Sequence, residues 1–173
     1  MDFGRRALLA ATIVVLLPVC YALGSTDLSG KWVLDLHASS SSDPMLKRLG
    51  VPWIERKLAA SIKLESTYTQ SPSLLTIHTH GPAFSRTELI RLDNKPETKT
   101  EALTGLYTIR IRWSPDGTQL VSTISFRTKD GHDAQLIVVR QLADAGKTLL
   151  LTQTLKVTGH PGTWMVRRVC RKL

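Results

Sequence analysis

The stretch MLKRLGVPWIERKLAASIKL, residues 45–64, decides how the rest of the chain is interpreted. It is the one segment after the N-terminus with helical spacing, because apolar residues recur four apart from residue 54 to residue 62. Gly50 suits the end of a first helix, and Pro52 suits the start of a second. Two short helices among strands need an apolar surface to cover, and the open mouth of a barrel provides one. We therefore expect a helix-turn-helix lid over residues 44–64.

The remainder of the chain has the alternating pattern of β-strands. Trp32 and Leu34 alternate with polar or smaller residues in a first strand, and tight turns such as Ser114-Pro115-Asp116-Gly117 separate later ones. The predicted strands are 31–36, 67–70, 75–79, 84–92, 95–102, 106–113, 118–127, 135–142, 148–157 and 163–169. Short connections make each strand pair with its neighbour, and the first strand is free to pair with the last. The sequence predicts an all-β fold, a ten-stranded up-and-down antiparallel β-barrel that encloses a cavity.

Length and charge restrict the class of protein. The chain has 173 residues, 42% of them hydrophobic, which is typical of one globular domain with a sizeable core. The formal net charge of +9 favours acidic partners such as anionic lipid headgroups, nucleic acid or polyanionic glycans. The alternative is that the excess charge only keeps a small domain soluble.

The N-terminus has the order of a secretory signal peptide. A pair of arginines precedes an uncharged apolar run over residues 7–19, and the small residues Ala22 and Gly24 follow. We expect a signal peptide over residues 1–24, cleavage before residue 25, and a secreted domain over residues 25–173. The alternative is an uncleaved N-terminal membrane anchor, although the apolar run is short for a span.

The cysteine content of the predicted domain does not allow an intrachain disulfide. Cys20 would leave with the signal peptide, and Cys170 would then be the single cysteine of the mature chain. A lipid anchor at Cys20 is a weaker alternative, because Val19 stands where a small residue is expected. The fold must therefore be held by its core rather than by an intrachain disulfide.

Several motifs resemble those of the calycins. Gly30-Lys31-Trp32 is similar to the Gly-x-Trp of their opening strand. Residues 45–59 resemble the lid of the intracellular fatty-acid-binding and retinoid-binding proteins, in which a leucine-glycine-valine turn precedes an arginine-lysine pair. Residues 75–89 resemble the third and fourth strands of that family, and the similarity runs from about Ser29 to the C-terminus. The resemblance implies a ten-stranded barrel that holds one apolar ligand, with the two helices as its portal.

The same resemblance implies five ligand-binding residues. Arg140 matches a carboxylate-binding arginine on the eighth strand, and Arg168 matches the arginine of an arginine-x-tyrosine on the last. Cys170 stands where the family has the tyrosine, and a thiol is a poorer hydrogen-bond donor than a phenol. Phe84 matches a portal aromatic, and Ala59 matches a lid residue at the portal. Arginine is suited to this role because its planar guanidinium stays charged and binds carboxylates through two hydrogen bonds. The residues alone leave open that either arginine points outward.

The histidines do not form a ligand pattern in the sequence. His78 and His80 share one strand face, but no cysteine or acidic residue lies at metal-ligand spacing from this pair, and His132 and His160 lie in turns. We expect exposed positions and no metal site. The sequence also lacks a catalytic triad, a phosphate loop and a carboxylate pair with a supporting motif.

These observations predict a secreted, monomeric, non-enzymatic protein that binds and transports a small hydrophobic ligand, a fatty acid or related anionic lipid, without another cofactor. The lid is expected to contact anionic membranes transiently, and nucleic acid is not an expected partner. One alternative is a secreted interaction protein that binds polyanions or membrane surfaces through its basic exterior. Another is a barrel that has gained catalysis on a lipid. The predicted secretion departs from the family, because its best-known members are cytosolic. True lipocalins are secreted, but they generally have eight strands and a disulfide.

Overall fold

The computed structural model describes residues 24–82, 84–101 and 104–173, so nearly all of the predicted signal peptide lies outside the described residues. Ten strands account for most of this part of the chain. They are β1 Gly30–Asp35, β2 Glu65–Gln70, β3 Leu74–Gly81, β4 Phe84–Arg91, β5 Glu97–Glu101, β6 Gly105–Trp113, β7 Gln119–Arg127, β8 Asp133–Ala143, β9 Thr148–Val157 and β10 Trp164–Lys172. Two helices, α1 Asp43–Arg48 and α2 Trp53–Ser61, follow β1, and a 3-10 turn, Asp144–Gly146, joins β8 to β9.

All ten strands form one antiparallel sheet, which confirms the predicted fold. The strand order is β4-β3-β2-β1-β10-β9-β8-β7-β6-β5, so the first strand pairs with the last as expected. The edge strands β4 and β5 share no backbone ladder in the described residues, and the curled sheet stays open there. Side chains cross this gap instead: Arg86 pairs with Glu101, and Lys99 Nζ donates to the Leu89 carbonyl at 3.3 Å.

The Gly-x-Trp motif is explained by the packing of β1. Trp32 is only 1% exposed, and its Nε1 donates to the Leu28 carbonyl at 3.2 Å. A Cβ at Gly30 would lie 3.3 Å from the Trp32 ring, and the backbone φ of Gly30 is +153°. A side chain there would press on the indole, so glycine is required two residues before the tryptophan.

The turn between the helices forms as the sequence predicts. Gly50 has a φ of +75°, and its N–H donates to the Lys47 carbonyl at 3.0 Å, which closes α1. Pro52 directly precedes α2. Met45 on α1 is buried with Phe126 of β7, among other residues, so α1 covers one end of the barrel.

The expectation that the apolar side of α2 covers the barrel is wrong. None of its residues is buried, and Trp53, Ile54 and Leu58 are 61%, 72% and 55% exposed. A polar anchor orients the helix: Arg56 Nε donates to Asp43 at 2.9 Å, and Arg56 Nη1 donates to the Val51 carbonyl at 2.9 Å. Because Arg56 faces α1, the apolar side of α2 points toward solvent.

Two hydrophobic clusters hold the sheet in its curled form. One lies deep in the barrel and consists of Leu28, Trp32, Tyr68, Leu75, Ile77, Ile90, Ile109, Ile111, Leu120 and Leu149. The other lies toward α1 and consists of Met45, Phe126, Ala134, Leu155, Val157 and Val166. Among the described residues, neither helix has the length and apolarity needed to cross a membrane.

Candidate functional site

A cavity of about 440 Å³ opens inside the curled sheet. Small-molecule sites usually have volumes of about 300–1,000 Å³, so this one is large enough for a ligand. Its walls are mainly apolar and draw on both hydrophobic clusters. The apolar lining residues are Trp32, Leu34, Leu49, Leu64, Ile77, Ile109, Ile124, Phe126, Leu136, Val138, Leu149 and Leu151.

Strand register brings two arginines to the same side of the sheet. Arg140 on β8 and Arg168 on β10 are both paired with Leu151, on the intervening strand β9. Residues directly opposite each other in an antiparallel ladder point to the same face, and two strand spacings separate the arginine backbones by roughly 10 Å. All three residues line the cavity. This arrangement is suited to holding one small anionic group between two guanidinium groups.

Arg140 is buried with part of its hydrogen-bonding capacity unused. Its side chain belongs to a residue only 7% exposed, and Nη1 donates to Ser122 Oγ at 3.0 Å. The Arg140 Nε is buried and has no hydrogen-bond partner among the described residues. Burial raises the pKa of the neighbouring Tyr68, and the positive charge of Arg140 opposes that rise. Burial also lowers the pKa of Arg168.

Neither arginine is directly paired with a counter-ion in the part of the chain that the structure describes. Among the described residues, no acidic side chain forms an ion pair with Arg140 or Arg168. Two glutamates line the cavity, but Glu101 is paired with Arg86 across the gap between β4 and β5. The lining thus carries three arginines against two glutamates. A buried cation without a partner is unfavourable, so the site attracts an anion.

Cys170 presents a neutral thiol to the same cavity. Burial raises the pKa of this thiol to about 11, although Arg168 opposes the rise. The residue is half-buried and lines the cavity beside Leu149, with which it is paired. The thiol can therefore act as a weak donor and small apolar group, whereas its reactivity as a thiolate is suppressed.

The structure brings together three of the five predicted site residues. Arg140, Arg168 and Cys170 lie at the cavity wall. Ala59 lies half-exposed on α2 and is not among the lining residues, so its portal role stays a prediction. Phe84 begins β4, and its side chain lies outside the described part of the chain, so its role is also untested.

Sequence reasoning missed the polar groups around Arg140. Tyr68 is buried on β2, and Ser122 is buried on β7. The strand pattern contains a signal for Tyr68, because it is the one aromatic residue in β2. Alternation in β7 places Ser122 on the buried face with Leu120 and Phe126, but only the register between β7 and β8 brings it to Arg140.

Comparison with solved structures identifies the fold, while neither family sequence models nor curated protein sequences match the chain. Caenorhabditis elegans lipid binding protein 8 superposes with a TM-score of 0.67 at 16% identity, covering 88% of this chain and 100% of that one. A Schistosoma mansoni fatty acid binding protein in complex with arachidonic acid gives 0.64 at 18%, covering 87% and 99%. Human cRBP IV gives 0.65 at 17%, covering 86% and 99%. The chain therefore has the fold of the fatty-acid-binding and retinoid-binding proteins.

Proposed function

We propose that this protein binds and transports a small hydrophobic ligand with an anionic headgroup, a fatty acid or related lipid. One observation carries the proposal. Arg140 is buried in an apolar cavity, its Nε has no hydrogen-bond partner, and none of the described residues forms an ion pair with it. A ligand carboxylate would supply both the missing acceptor and the missing charge. The ligand chain would lie against the apolar walls, where its burial is favourable.

The comparisons and the second arginine add support. A protein of the same fold at 18% identity was solved in complex with arachidonic acid, which has a carboxylate and a long apolar chain. Arg140 and Arg168 are both paired with Leu151 on the strand between them. One carboxylate between the two guanidinium groups would therefore contact both. Two cations in one desolvated space repel each other, and a bound anion would relieve that repulsion.

Removing either arginine tests the headgroup site. We expect Arg140→Gln and Arg168→Gln to weaken binding of a fatty acid by ~1.5–3 kcal/mol, which is roughly ten- to more than a hundredfold. Binding of the matching fatty alcohol should change little, because an alcohol carries no charge to pair. Isothermal titration calorimetry measures both. Arg110→Gln is the matched control, since Arg110 is exposed on β6 and does not line the cavity. Equal weakening of acid and alcohol would contradict the carboxylate site.

The thiol at Cys170 makes a second variant informative. A thiol is smaller than a phenol, so the headgroup region has room for more than a carboxylate. Cys170→Tyr would restore a phenol donor two residues after Arg168, and we expect tighter binding of the acid than of the alcohol. A variant that loses acid binding while retaining the alcohol would instead indicate that the natural headgroup is bulkier than a carboxylate.

A test without a chosen ligand separates this function from polyanion binding. Native mass spectrometry of protein purified without added lipid is expected to show an additional small-lipid mass. A clean mass of the empty protein together with tight heparin binding would favour the basic exterior as the functional surface.

The proposal also includes a non-enzymatic, monomeric role outside the cell and transient contact of α2 with anionic membranes. The exposed Trp53, Ile54 and Leu58 on α2 support the membrane contact.

A further inference from the structure

A cluster of three potential metal ligands lies outside the cavity, at the end of the barrel that α1 covers. Asp130 and His132 belong to the turn between β7 and β8, and His160 belongs to the turn between β9 and β10. One ligand atom from each residue lies within 4.8 Å of the others. His132 Nε2 is 3.9 Å from Asp130 Oδ2, and the rings of His132 and His160 meet edge to face at 4.8 Å.

The backbone fixes the first of these turns. His132 N–H donates to Thr128 Oγ1 at 3.0 Å, and that hydroxyl donates to the His132 carbonyl at 3.1 Å. Gly131 has a φ of +85°, which lets the chain reverse between Asp130 and His132. A carboxylate and an imidazole are thereby presented side by side without long-range packing.

The second turn brings His160 to this pair. A Cβ built on Gly159 would lie 3.9 Å from His132 Nδ1, so the two turns are in van der Waals proximity. The three side chains are exposed or half-exposed, and small rotations can draw their ligand atoms together. Two imidazoles and one carboxylate are a ligand set suited to Zn²⁺, which leaves a fourth position for water.

We propose that Asp130, His132 and His160 bind Zn²⁺ or a similar transition-metal dication, and that the metal competes with Arg48 for Asp130. Arg48 Nη1 lies 3.1 Å from Asp130 Oδ2, the same oxygen that faces His132. The Arg48 guanidinium also lies 5.8 Å from the centre of the Trp164 ring. Arg48 is the last residue of α1, so the ion pair ties the lid to the β7–β8 turn.

Competition at one carboxylate couples the metal to the lid. Coordination draws the Asp130 oxygen toward the metal, and the nearby dication repels the Arg48 guanidinium. α1 thereby loses one of its contacts with the barrel while its buried Met45 stays in place. Because the ion pair and the metal compete for the same oxygen, removal of the Arg48 charge is expected to strengthen metal binding.

Calorimetric titration of tag-free protein with ZnCl₂ tests the site. We expect one saturable site, and we expect His132→Ala and His160→Ala each to weaken it at least about tenfold, since even indirect partners of metal ligands cost that much. His78→Ala is the matched control, because His78 is an exposed histidine on β3, on a different part of the sheet, and it should leave the affinity unchanged. MgCl₂ should not bind, because Mg²⁺ prefers oxygen ligands.

The coupling to the lid has its own readout. Arg48→Gln should bind Zn²⁺ roughly two- to fivefold more tightly, the size expected for release of one ion pair at the protein surface whose carboxylate is exposed. Hydrogen exchange at the Leu49 amide, which donates to the Met45 carbonyl at 3.0 Å, should become faster when Zn²⁺ is added to the unmodified protein. Absence of saturable Zn²⁺ binding, or equal affinity in both histidine variants and the parent, would overturn the site. Unchanged affinity in Arg48→Gln would overturn the competition.

Discussion

Burial controls the chemistry of Cys170. The pKa of its thiol is raised to about 11 by burial, so the thiol stays protonated under physiological conditions. Only the thiolate attacks alkylating reagents, and an increase in pKa lowers the thiolate fraction at every pH below the new value. Cys170 thus lines the cavity without being a nucleophile, although it is the one free cysteine in the described part of the chain.

We therefore expect slow alkylation of Cys170 in the folded protein. At about pH 8, the thiolate fraction should be roughly a hundredfold lower than that of the same thiol in the unfolded chain. The rate of iodoacetamide labelling, measured by mass spectrometry, should keep rising with pH toward about pH 11 in the folded protein. In urea the rate should level off near the ordinary thiol pKa. Equal rates in the two states at about pH 8 would contradict a raised pKa.

Part of the candidate site can be predicted from the sequence. Alternation within β8 places Arg140 on the same face as Leu136 and Val138, and the cavity lining contains all three residues. The pairing of Arg140 with Ser122 could not be predicted, because it depends on the register between β7 and β8. Register is set by the sheet as a whole and by turn geometry, so a single strand pattern does not encode it.

Among the elements, α2 differs most from its sequence-based prediction. Helical periodicity correctly indicates a helix, but it does not determine which environment faces the apolar side. That orientation follows from the ion pair between Arg56 and Asp43. Because Arg56 belongs to α2 and Asp43 to α1, the periodicity of α2 alone does not encode it. Composition is a poor guide to β5 as well: the strand is entirely polar, yet its ladder with β6 forms over Glu97–Glu101.

The orientation of α2 refines the prediction of membrane contact. Lys47, Lys57 and Lys63 are exposed on and around the lid, whereas Arg48 and Arg56 are engaged in ion pairs with side chains only 16% and 14% exposed. Lysines near an anionic surface contribute about 1 kcal/mol each, and exposed apolar residues can enter the interface. The lysines of the lid, rather than its arginines, should therefore dominate attraction to a bilayer.

We expect the variant with Lys57→Glu and Lys63→Glu to transfer a fluorescent fatty acid to anionic vesicles at least tenfold more slowly than the parent. Two lost attractions of about 1 kcal/mol each, together with the added repulsion, account for this size. Transfer to neutral vesicles should change little, and added salt should reduce the difference. Lys147→Glu is the matched control, since Lys147 is exposed in the β8–β9 turn at the opposite end of the barrel. Equal transfer rates would show that α2 is not the docking surface.

The segment before β1 closes the far end of the barrel. The Thr26 N–H donates to the Gly117 carbonyl at 2.9 Å, and Gln70 Nε2 donates to the Thr26 carbonyl at 3.0 Å. The Leu28 side chain is fully buried, and its N–H donates to Gln70 Oε1 at 3.1 Å. Cleavage after Gly24 would preserve these contacts, whereas cleavage only four residues further on would remove them.

Processing of the N-terminus and stability of the mature domain are expected to be linked through residues 25–28. On export, we expect the mature protein to begin at Ser25, because the small residues that precede it are followed directly by a segment the fold requires. Protein that lacks residues 25–28 should lose about 2–4 kcal/mol of unfolding free energy relative to protein that begins at Ser25. Burial of one leucine contributes about 1.5–3 kcal/mol, and the lost hydrogen bonds contribute about 1 kcal/mol each, partly offset by chain entropy. Urea denaturation measures the difference, and N-terminal sequencing of protein from the medium identifies the cleavage site. An exported product that began beyond Leu28, or one that retained Met1 on a membrane, would contradict the predicted processing. An unchanged unfolding free energy would show that the barrel closes without this segment.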